Sequence, residues 1–515
     1  MKILDCTLRD GGYYTNWDFG KVEVDAYFKA MQSLPIDYVE VGYRSFYKES
    51  YRGKYYYSPQ KFLKDLRSSG FTKKIAVMLN AKEFGQKEVE NLENLFPDKD
   101  EIAMVRIAVD PKKLKEIIPL INKLGSMRMN VGLNLMYLSQ LELNNDLVQE
   151  IKEIESYLEG VYFVDSYGSV TPTLVAEIFS KAKKEFNVPL GFHGHNNIEL
   201  AFANSLAALE EGAEFVDATI LGMGRGAGNL RTELFLAYMN AQNKLDVNLD
   251  ELGKVCQYFE SLKTEYQWGT NFPYILSGSY SIAQGNVMEW VSRKRYSMES
   301  IVRKLSPVSN SIPSKANKIS KTSEINSHKK LLFIGGGNSV EDHSEAIVDF
   351  LNYNLDVAVV HLSTKKLQIL KSVKNNQYLC TSGYDGINFT EAELREIAKQ
   401  IECLIYPPAE RTIDPLMQIE GLDVIESQNI GFAKEYIDSP LAIATMLANQ
   451  VNCESVFLVG VDGYNASDYL VASELNQENQ EIINKLVSKF KVVSLTPTKY
   501  LSIETSSIYA FNSEF

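Results

Sequence analysis

Short runs of β-branched and apolar residues alternate with amphipathic stretches from the first residue of this chain. Runs of this kind bounded by turn signals read as buried strands. They predict strands over Lys2–Thr7, Asp37–Gly42, Lys74–Leu79, Ile102–Ala108, Asn130–Met136, Gly160–Asp165, Pro189–His193 and Glu214–Ile220. The intervening patterns are helical. Leu147, Val148, Ile151, Ile154 and Leu158 form one apolar face, and Leu174, Ile178, Phe179 and Ala182 form another. Eight strands with a helix after each, in roughly 240 residues, match a closed (β/α)8 barrel. An open doubly wound sheet normally has fewer strands and ranks second.

Beyond the barrel, assigned to residues 1–245, residues 246–305 read as a helical extension packed on it. The stretch 306–329 is rich in Ser and Lys and lacks apolar periodicity, so a flexible linker is expected there. A second α/β unit over 330–515 has strand candidates at Leu331–Gly335, Asp356–Leu362, Glu402–Tyr406, Asp423–Glu426, Ser455–Val461 and Lys491–Leu495. Helical segments separate most of them, which predicts a Rossmann-like parallel sheet. The expected fold class is therefore α/β, a (β/α)8 TIM barrel with a helical extension and a second, Rossmann-like domain.

Composition changes this picture only by exclusion. A net charge of −13 and no basic run with interleaved aromatics argue against nucleic acid as a partner. No window is apolar for long enough to span a membrane, and no secretory signal opens the chain, so a cytoplasmic enzyme is expected. The five scattered cysteines have no metal-ligand spacing and read as reduced thiols.

Barrel enzymes keep their chemistry at the C-terminal ends of the strands. Three polar clusters fall there: Arg9-Asp10-Gly11-Gly12 after the first strand, His193-Gly194-His195-Asn196 at the seventh, and Gly222 to Asn229 after the eighth. Strands one, seven and eight become neighbours on closure, so the clusters converge. His193 and His195 are two apart and project to the same side of extended backbone. With Asp10 they would form a three-point site for Mn²⁺ or Mg²⁺, while imidazole extends the choice towards Zn²⁺ or Fe²⁺. Only five histidines occur in 515 residues, and two of them stand in this HxH.

Leu4 to Gly11 (LDCTLRDG), Val39 to Gly42 (VEVG), Val164 to Gly168 (VDSYG), His193 to Asn196 (HGHN) and Gly226 to Asn229 (GAGN) together resemble the metal-dependent lyase and aldolase superfamily. That superfamily includes hydroxymethylglutaryl-CoA lyase, isopropylmalate synthase, homocitrate synthase and 4-hydroxy-2-oxovalerate aldolase. The resemblance covers about residues 1–290. It implies that Asp10, His193 and His195 are metal ligands, with Asn229 a further ligand or its neighbour. It implies that Arg9 stabilises the enolate oxygen, and that Glu40 orders water or substrate. The implied reaction makes or breaks a carbon–carbon bond beside a 2-oxo acid, joining a pyruvate-like enolate to an aldehyde. An acetyl-CoA-dependent Claisen acyltransferase is the alternative within the superfamily, and a noncatalytic barrel serving as a scaffold is the alternative outside it. A homo-oligomer is compatible with either.

Departures narrow the choice. Biotin-dependent carboxyltransferases of the superfamily carry a carbamylated Lys where this chain has Val164, and hydroxymethylglutaryl-CoA lyases use a Cys in the loop where Ile220–Asn229 has none. The barrel resembles the 4-hydroxy-2-oxovalerate aldolases most. Those enzymes place a basic His three residues after the metal Asp, where Tyr13 stands here, so the base is open between Tyr13 and other groups. In the second unit, Gly335-Gly336-Gly337-Asn338 after a strand can present backbone N–H groups to phosphate. Asp462 ends another strand beside it. Gly335, Gly337, Asn338 and Asp462 are thus candidates for binding a nucleotide or nucleotide-sugar. Val340 replaces the third glycine of a dinucleotide fingerprint, and His361 stands where a ribose-binding acid is expected.

Overall fold

The computed structural model describes residues 1–97, 101–293, 301–302, 305, 320–321, 325–381, 389–406, 422–427, 436, 439–464 and 469–513. The chain divides into two compact units, Met1–Met288 and Glu289–Phe515.

In the first unit, β1 (Lys2–Asp5), β2 (Tyr38–Tyr43), β3 (Lys74–Asn80), β4 (Met104–Val109), β5 (Val131–Leu135), β6 (Leu158–Asp165), β7 (Leu190–Gly194) and β8 (Phe215–Ala218) pair in parallel in chain order. Pairing of β8 with β1 closes the barrel. Both faces of these strands are covered, which is why they read as near-continuous apolar runs. The outward side chains pack on the surrounding helices, while Leu4, Cys6, Tyr38, Ala76, Met104, Tyr162 and Phe215 form a separate cluster within the barrel. Two helical expectations need correction. Leu158 continues the apolar spacing of helix Asn145–Ile154, yet it starts β6, because a 3₁₀ turn over Glu155–Tyr157 ends the helix first. Among the described residues between β3 and β4 there is no full-length helix, only Gln86–Glu90 flanked by 3₁₀ turns.

The start of the barrel is tied down by one carboxylate. Asp5 is fully buried, and its Oδ1 accepts hydrogen bonds from the Thr7 amide (3.0 Å), the Thr7 hydroxyl (2.6 Å) and the Tyr27 hydroxyl (2.7 Å). Its Oδ2 accepts from the Thr232 hydroxyl at 2.7 Å. Asp5 thereby joins β1, helix α1 (Thr7–Thr15) and the later helices Lys21–Ser33 and Thr232–Ala241.

The second unit holds β9 (Ser320–Lys321), β10 (Lys330–Ile334), β11 (Val357–His361), β12 (Gln377–Cys380), β13 (Cys403–Tyr406), β14 (Asp423–Glu426), β15 (Ser455–Val459), β16 (Lys491–Ser494) and β17 (Glu504–Thr505). All neighbours are parallel, in the order β17-β16-β15-β10-β11-β12-β13-β14-β9. Leu331 and Phe333 pack on helix Pro440–Gln450, and the alternate Leu332 and Ile334 on helix Ser344–Tyr353, so helices cover both faces. Strand β12 escapes the sequence pattern because its apolar run is only three residues long. Most of the expected linker at 306–329 lies outside the described residues, but Ser320–Lys321 within it form a strand paired with β14. Among the described residues no helix is long and apolar enough to cross a membrane, and all five cysteines are free.

His361 is buried in β11 and donates from Nε2 to Gln377 Oε1 at 2.8 Å, which links β11 to β12. Burial lowers its pKa to about 4.

Two outcomes follow for stability. Asp5→Ala strips an acceptor from four buried donors and should destabilise the barrel by about 2–4 kcal/mol, read from its denaturant midpoint. Folded His361 stays neutral to about pH 4, whereas the unfolded imidazole protonates near ~6.5. The unfolded state therefore binds the extra proton in that window. The second unit should lose stability as pH falls from about 6.5 to about 4, and H361Q should flatten that slope.

Candidate active site

Helix α1 begins directly at the C-terminal end of β1, so Arg9 and Asp10 lie on its first turns, buried over the barrel mouth. Arg9 Nε donates to Glu40 Oε2 at 2.7 Å, and Nη1 to Asp10 Oδ1 at 2.6 Å. The other Asp10 oxygen accepts from Asn229 Nδ2 at 2.6 Å and lies 3.4 Å from His193 Nε2. Burial alone would raise the Asp10 pKa, but the Arg9 charge and the His193 contact overcome it and hold the carboxyl well below the usual range. Asp10, His193, His195, Asn229, Arg9 and Glu40 are thus one connected group, with the two imidazole centroids 5.1 Å apart.

The outer partners of the histidines orient them. His195 Nδ1 faces the Asp165 carbonyl at 2.6 Å, and a carbonyl can only accept, so Nδ1 carries the hydrogen and Nε2 keeps its lone pair. Burial, followed by the charge of His193, lowers the His195 pKa to about 3. His193 Nδ1 donates to Asp217 Oδ2 at 2.9 Å, which turns its Nε2 towards Asp10. Burial pulls His193 down, but the bonds to Asp10 and Asp217 outweigh it and raise its pKa. Such carboxylate and carbonyl partners fix the tautomer of metal-binding histidines.

Asn229 Oδ1 adds an independent sign. It is buried and has no hydrogen-bond donor in the structure, although its Nδ2 is engaged. A buried unpaired amide oxygen beside a carboxylate and two imidazole nitrogens suits a hard divalent cation. The glycine loop makes this placement possible: Gly228 has φ +76°, and a Cβ there would meet the Gly222 carbonyl at 2.1 Å. A cavity of about 390 Å³ borders this loop, lined in part by Asn196, Asn229, Arg231 and Lys263.

Three residues were missed in the sequence. Asp217 is an inward carboxylate in β8, and Arg106 is a fully buried arginine in β4. Arg106 donates to Asp217 Oδ2 (2.5 Å), Glu40 Oε1 (3.3 Å) and Asn134 Oδ1 (3.2 Å), and its guanidinium lies 4.1 Å from the Tyr162 ring centroid. Gly132 on the next strand leaves room for it, since a Cβ there would approach Arg106 Cγ to 2.9 Å. Charged residues within strands otherwise composed of apolar residues are the signal that could have found both. The third is Cys6, whose Sγ lies with ligand atoms of Asp10 and His193 in a group spanning no more than 4.8 Å. Its thiol donates to the Ala218 carbonyl at 3.6 Å, and burial raises its pKa, so it floors the site as a neutral thiol.

Tyr13 sits half-buried at the rim. Its hydroxyl is 3.0 Å from that of Tyr43, and Arg225 lies over its ring, 4.5 Å from the centroid. Asp165 uses its carboxylate on the amides of Ser169 and Val170, which shapes the loop after β6.

The second-unit candidates also come together. The Gly337 amide donates to the Gly460 carbonyl at 2.9 Å, and the Ser339 amide and hydroxyl both donate to Asp462. The anion at this turn is therefore the chain's own carboxylate. His361 points into the sheet rather than to the crevice edge.

Arg106→Met would leave Glu40 and Asp217 buried without their cation, and should destabilise the barrel by about 3–5 kcal/mol. R106M combined with D217N should cost less than the two single changes added together. Additive denaturation energies would show that the pair is not coupled.

The HMGL-like family model matches residues 101–258. Over 246 residues the chain is 31% identical to a 4-hydroxy-2-oxovalerate aldolase of Geobacillus genomosp. 3, covering 47% of this chain and 70% of that relative. It is 26% identical over 253 residues to an oxaloacetate decarboxylase of Mycobacterium tuberculosis, covering 48% of this chain and 73% of that one. Among solved structures, the N-terminal domain of a candidate aldolase from Bacteroides vulgatus superposes with a TM-score of 0.55 at 46% identity, covering 59% of this chain and 99% of that domain. Barrel topology, the converging site and these relatives agree: the chain belongs to the HMGL-like family and is a lyase.

Proposed function

We propose that this lyase is a divalent-metal-dependent aldolase acting on a 2-oxo acid, which joins or separates a pyruvate-like enolate and an aldehyde. The observation that carries this reading is the donor set: two imidazoles whose Nδ1 atoms are tied down, the depressed carboxylate of Asp10 and the unpaired oxygen of Asn229, all beside Arg9. The aldolase and decarboxylase relatives support the same class.

Asp10, His193 and His195 would hold the ion, with Asn229 Oδ1 as a fourth donor. Mn²⁺ and Mg²⁺ suit the oxygen donors, and the imidazoles admit Zn²⁺. Bound there, the ion supplies Lewis acidity to the oxygens of a chelated 2-oxo acid. Arg9 is held by Glu40 and Asp10 with its guanidinium over the mouth, where it can stabilise negative charge on the enolate oxygen. Because these partners fix Arg9 before substrate arrives, little reorganisation is needed as charge develops. Half-buried Tyr13, its hydroxyl paired with that of buried Tyr43, can exchange a proton with the substrate's hydroxyl. Arg106 and Asp217 touch no substrate and act as positioning residues for Glu40 and His193.

The deciding experiment follows the methyl protons of pyruvate in D₂O by NMR with the enzyme and Mg²⁺ or Mn²⁺. Metal-dependent loss of the methyl signal is expected, and Asp10→Ala should reduce it to background together with metal binding. No exchange in the wild type with either ion would refute the reading. Tyr13→Phe should keep the metal and slow carbon–carbon cleavage by about a hundredfold or more, the range for loss of a positioned proton-transfer group.

A further inference from the structure

Three guanidinium groups bear on this site, and two of them are paired with carboxylates of the chain. Arg9 is paired with Asp10 and Glu40, and Arg106 with Glu40 and Asp217. Arg225 is different. Among the described residues it has no carboxylate partner, and its close contact is the face of Tyr13. Tyr13 in turn meets the Tyr43 hydroxyl at 3.0 Å, and the loop that carries Arg225 ends in Asn229, which donates to Asp10, so Arg225 belongs to the same site.

The backbone around Arg225 is pinned rather than loose. The Gly228 amide donates to the Arg225 carbonyl at 3.2 Å. The next carbonyl, that of Gly226, accepts from the Gly269 amide and the Tyr14 hydroxyl, each at 3.2 Å. Gly226 itself has φ +65°, and a Cβ there would collide with Gln284 Oε1 at 2.1 Å. A loop this constrained holds its arginine at the rim. Arg9, Asp10, His193 and His195 are buried, whereas Arg225 and Tyr13 are half-buried.

A guanidinium held against Tyr13 on the loop that carries Asn229, with no carboxylate partner among the described residues, is complementary to an anion brought by the substrate. The 2-oxo acid end of a substrate has its partners deeper, at Arg9 and the ligand triad. We propose that Arg225 receives a second anionic group, a carboxylate or a phosphate, so that the aldehyde partner of this enzyme is anionic rather than neutral. This deepens the aldolase reading and rests on it. In cleavage, the C3–C4 bond of a 4-hydroxy-2-oxo acid breaks, its electron pair stays on the enolate, and the 4-hydroxyl proton leaves as the aldehyde forms. The enolate is then reprotonated at C3. Arg225 holds the far end of the departing aldehyde, and in synthesis it orients the incoming one.

The test measures aldol synthesis from pyruvate with succinic semialdehyde and glyceraldehyde 3-phosphate, against the neutral butanal and glyceraldehyde. The wild type should prefer an anionic aldehyde, and which of the two it prefers identifies the group. In Arg225→Met the ratio of kcat/KM for anionic over neutral aldehydes should fall about tenfold to a hundredfold, the range for a lost hydrogen bond to a charged group. Arg225→Lys should retain part of it. A ratio is insensitive to the fraction of variant that folds. Equal use of neutral aldehydes by the wild type, or a ratio unmoved in R225M, overturns the proposal. So does a defect that appears only as a raised KM for pyruvate in deuterium exchange, since Arg225 would then grip the 2-oxo acid itself. Absence of wild-type exchange would instead refute the aldolase reading, and this proposal with it.

Discussion

A full positive charge sits inside the closed barrel, and the polar mouth is organised around it. Arg106 has no exposed surface, so its guanidinium must be neutralised and hydrogen-bonded by protein alone. Burial would lower its pKa, yet Asp217 and Glu40 outweigh burial and raise it. The face of Tyr162 adds a second favourable contact at 4.1 Å. Apolar residues of similar volume in place of Arg106, Glu40 and Asp217 together could fill the same space at no greater free-energy cost. What an apolar residue could not do is hold two carboxylates in fixed places, and both of those carboxylates lead to the site.

Through Glu40, Arg106 reaches Arg9; through Asp217, it reaches His193. The electrophilic side and the ligand side of the mouth are thus braced against the same buried ion. Asp10 closes the circuit on top, since it touches Arg9, Asn229 and His193. A ring of this kind resists small displacements, because moving one charge leaves another unpaired in a region of low dielectric. Preorganisation of that sort is what stabilises charge in a transition state. It also gives a physical reason for the ionic interior of a barrel whose lower layer is otherwise apolar.

Most of the first unit was legible because a parallel barrel buries both faces of its strands, which leaves unbroken apolar runs. The eight runs marked eight strands, and the HxH, the RDGG turn and the glycine loop marked three strand ends that meet. Arg106, Asp217 and Cys6 were not legible by the same rule: a charge or thiol within an apolar run carries no sign of which face it takes. Only closure of the barrel turns Arg106 and Asp217 towards each other across strands far apart in sequence. Leu158 failed for the opposite reason. Its spacing suited a helix, but local turn geometry over Glu155–Tyr157 overrode the periodicity. In the second unit, β12 was too short to show, because its place depends on register with β11 and β13.

The two units each contain a glycine-rich turn after a strand, and comparing them shows why only one is chemically poised. At Gly335–Ser339 the Gly337 amide meets the Gly460 carbonyl and the Ser339 amide and hydroxyl meet Asp462, so these donors are satisfied within the chain. A ligand phosphate there must displace a carboxylate already seated on Ser339. At Gly222–Asn229 the balance runs the other way. The loop buries an amide oxygen without a donor, faces two imidazole nitrogens, and holds a guanidinium with no carboxylate partner among the described residues. Internal satisfaction favours stability, while groups left unpaired in a buried mouth are sustained only by what binds to them. The unpaired groups are of two signs, oxygen and nitrogen donors below and a cation at the rim. On the proposed reading, a metal ion would satisfy the first set, and a substrate with an anionic tail would satisfy the second.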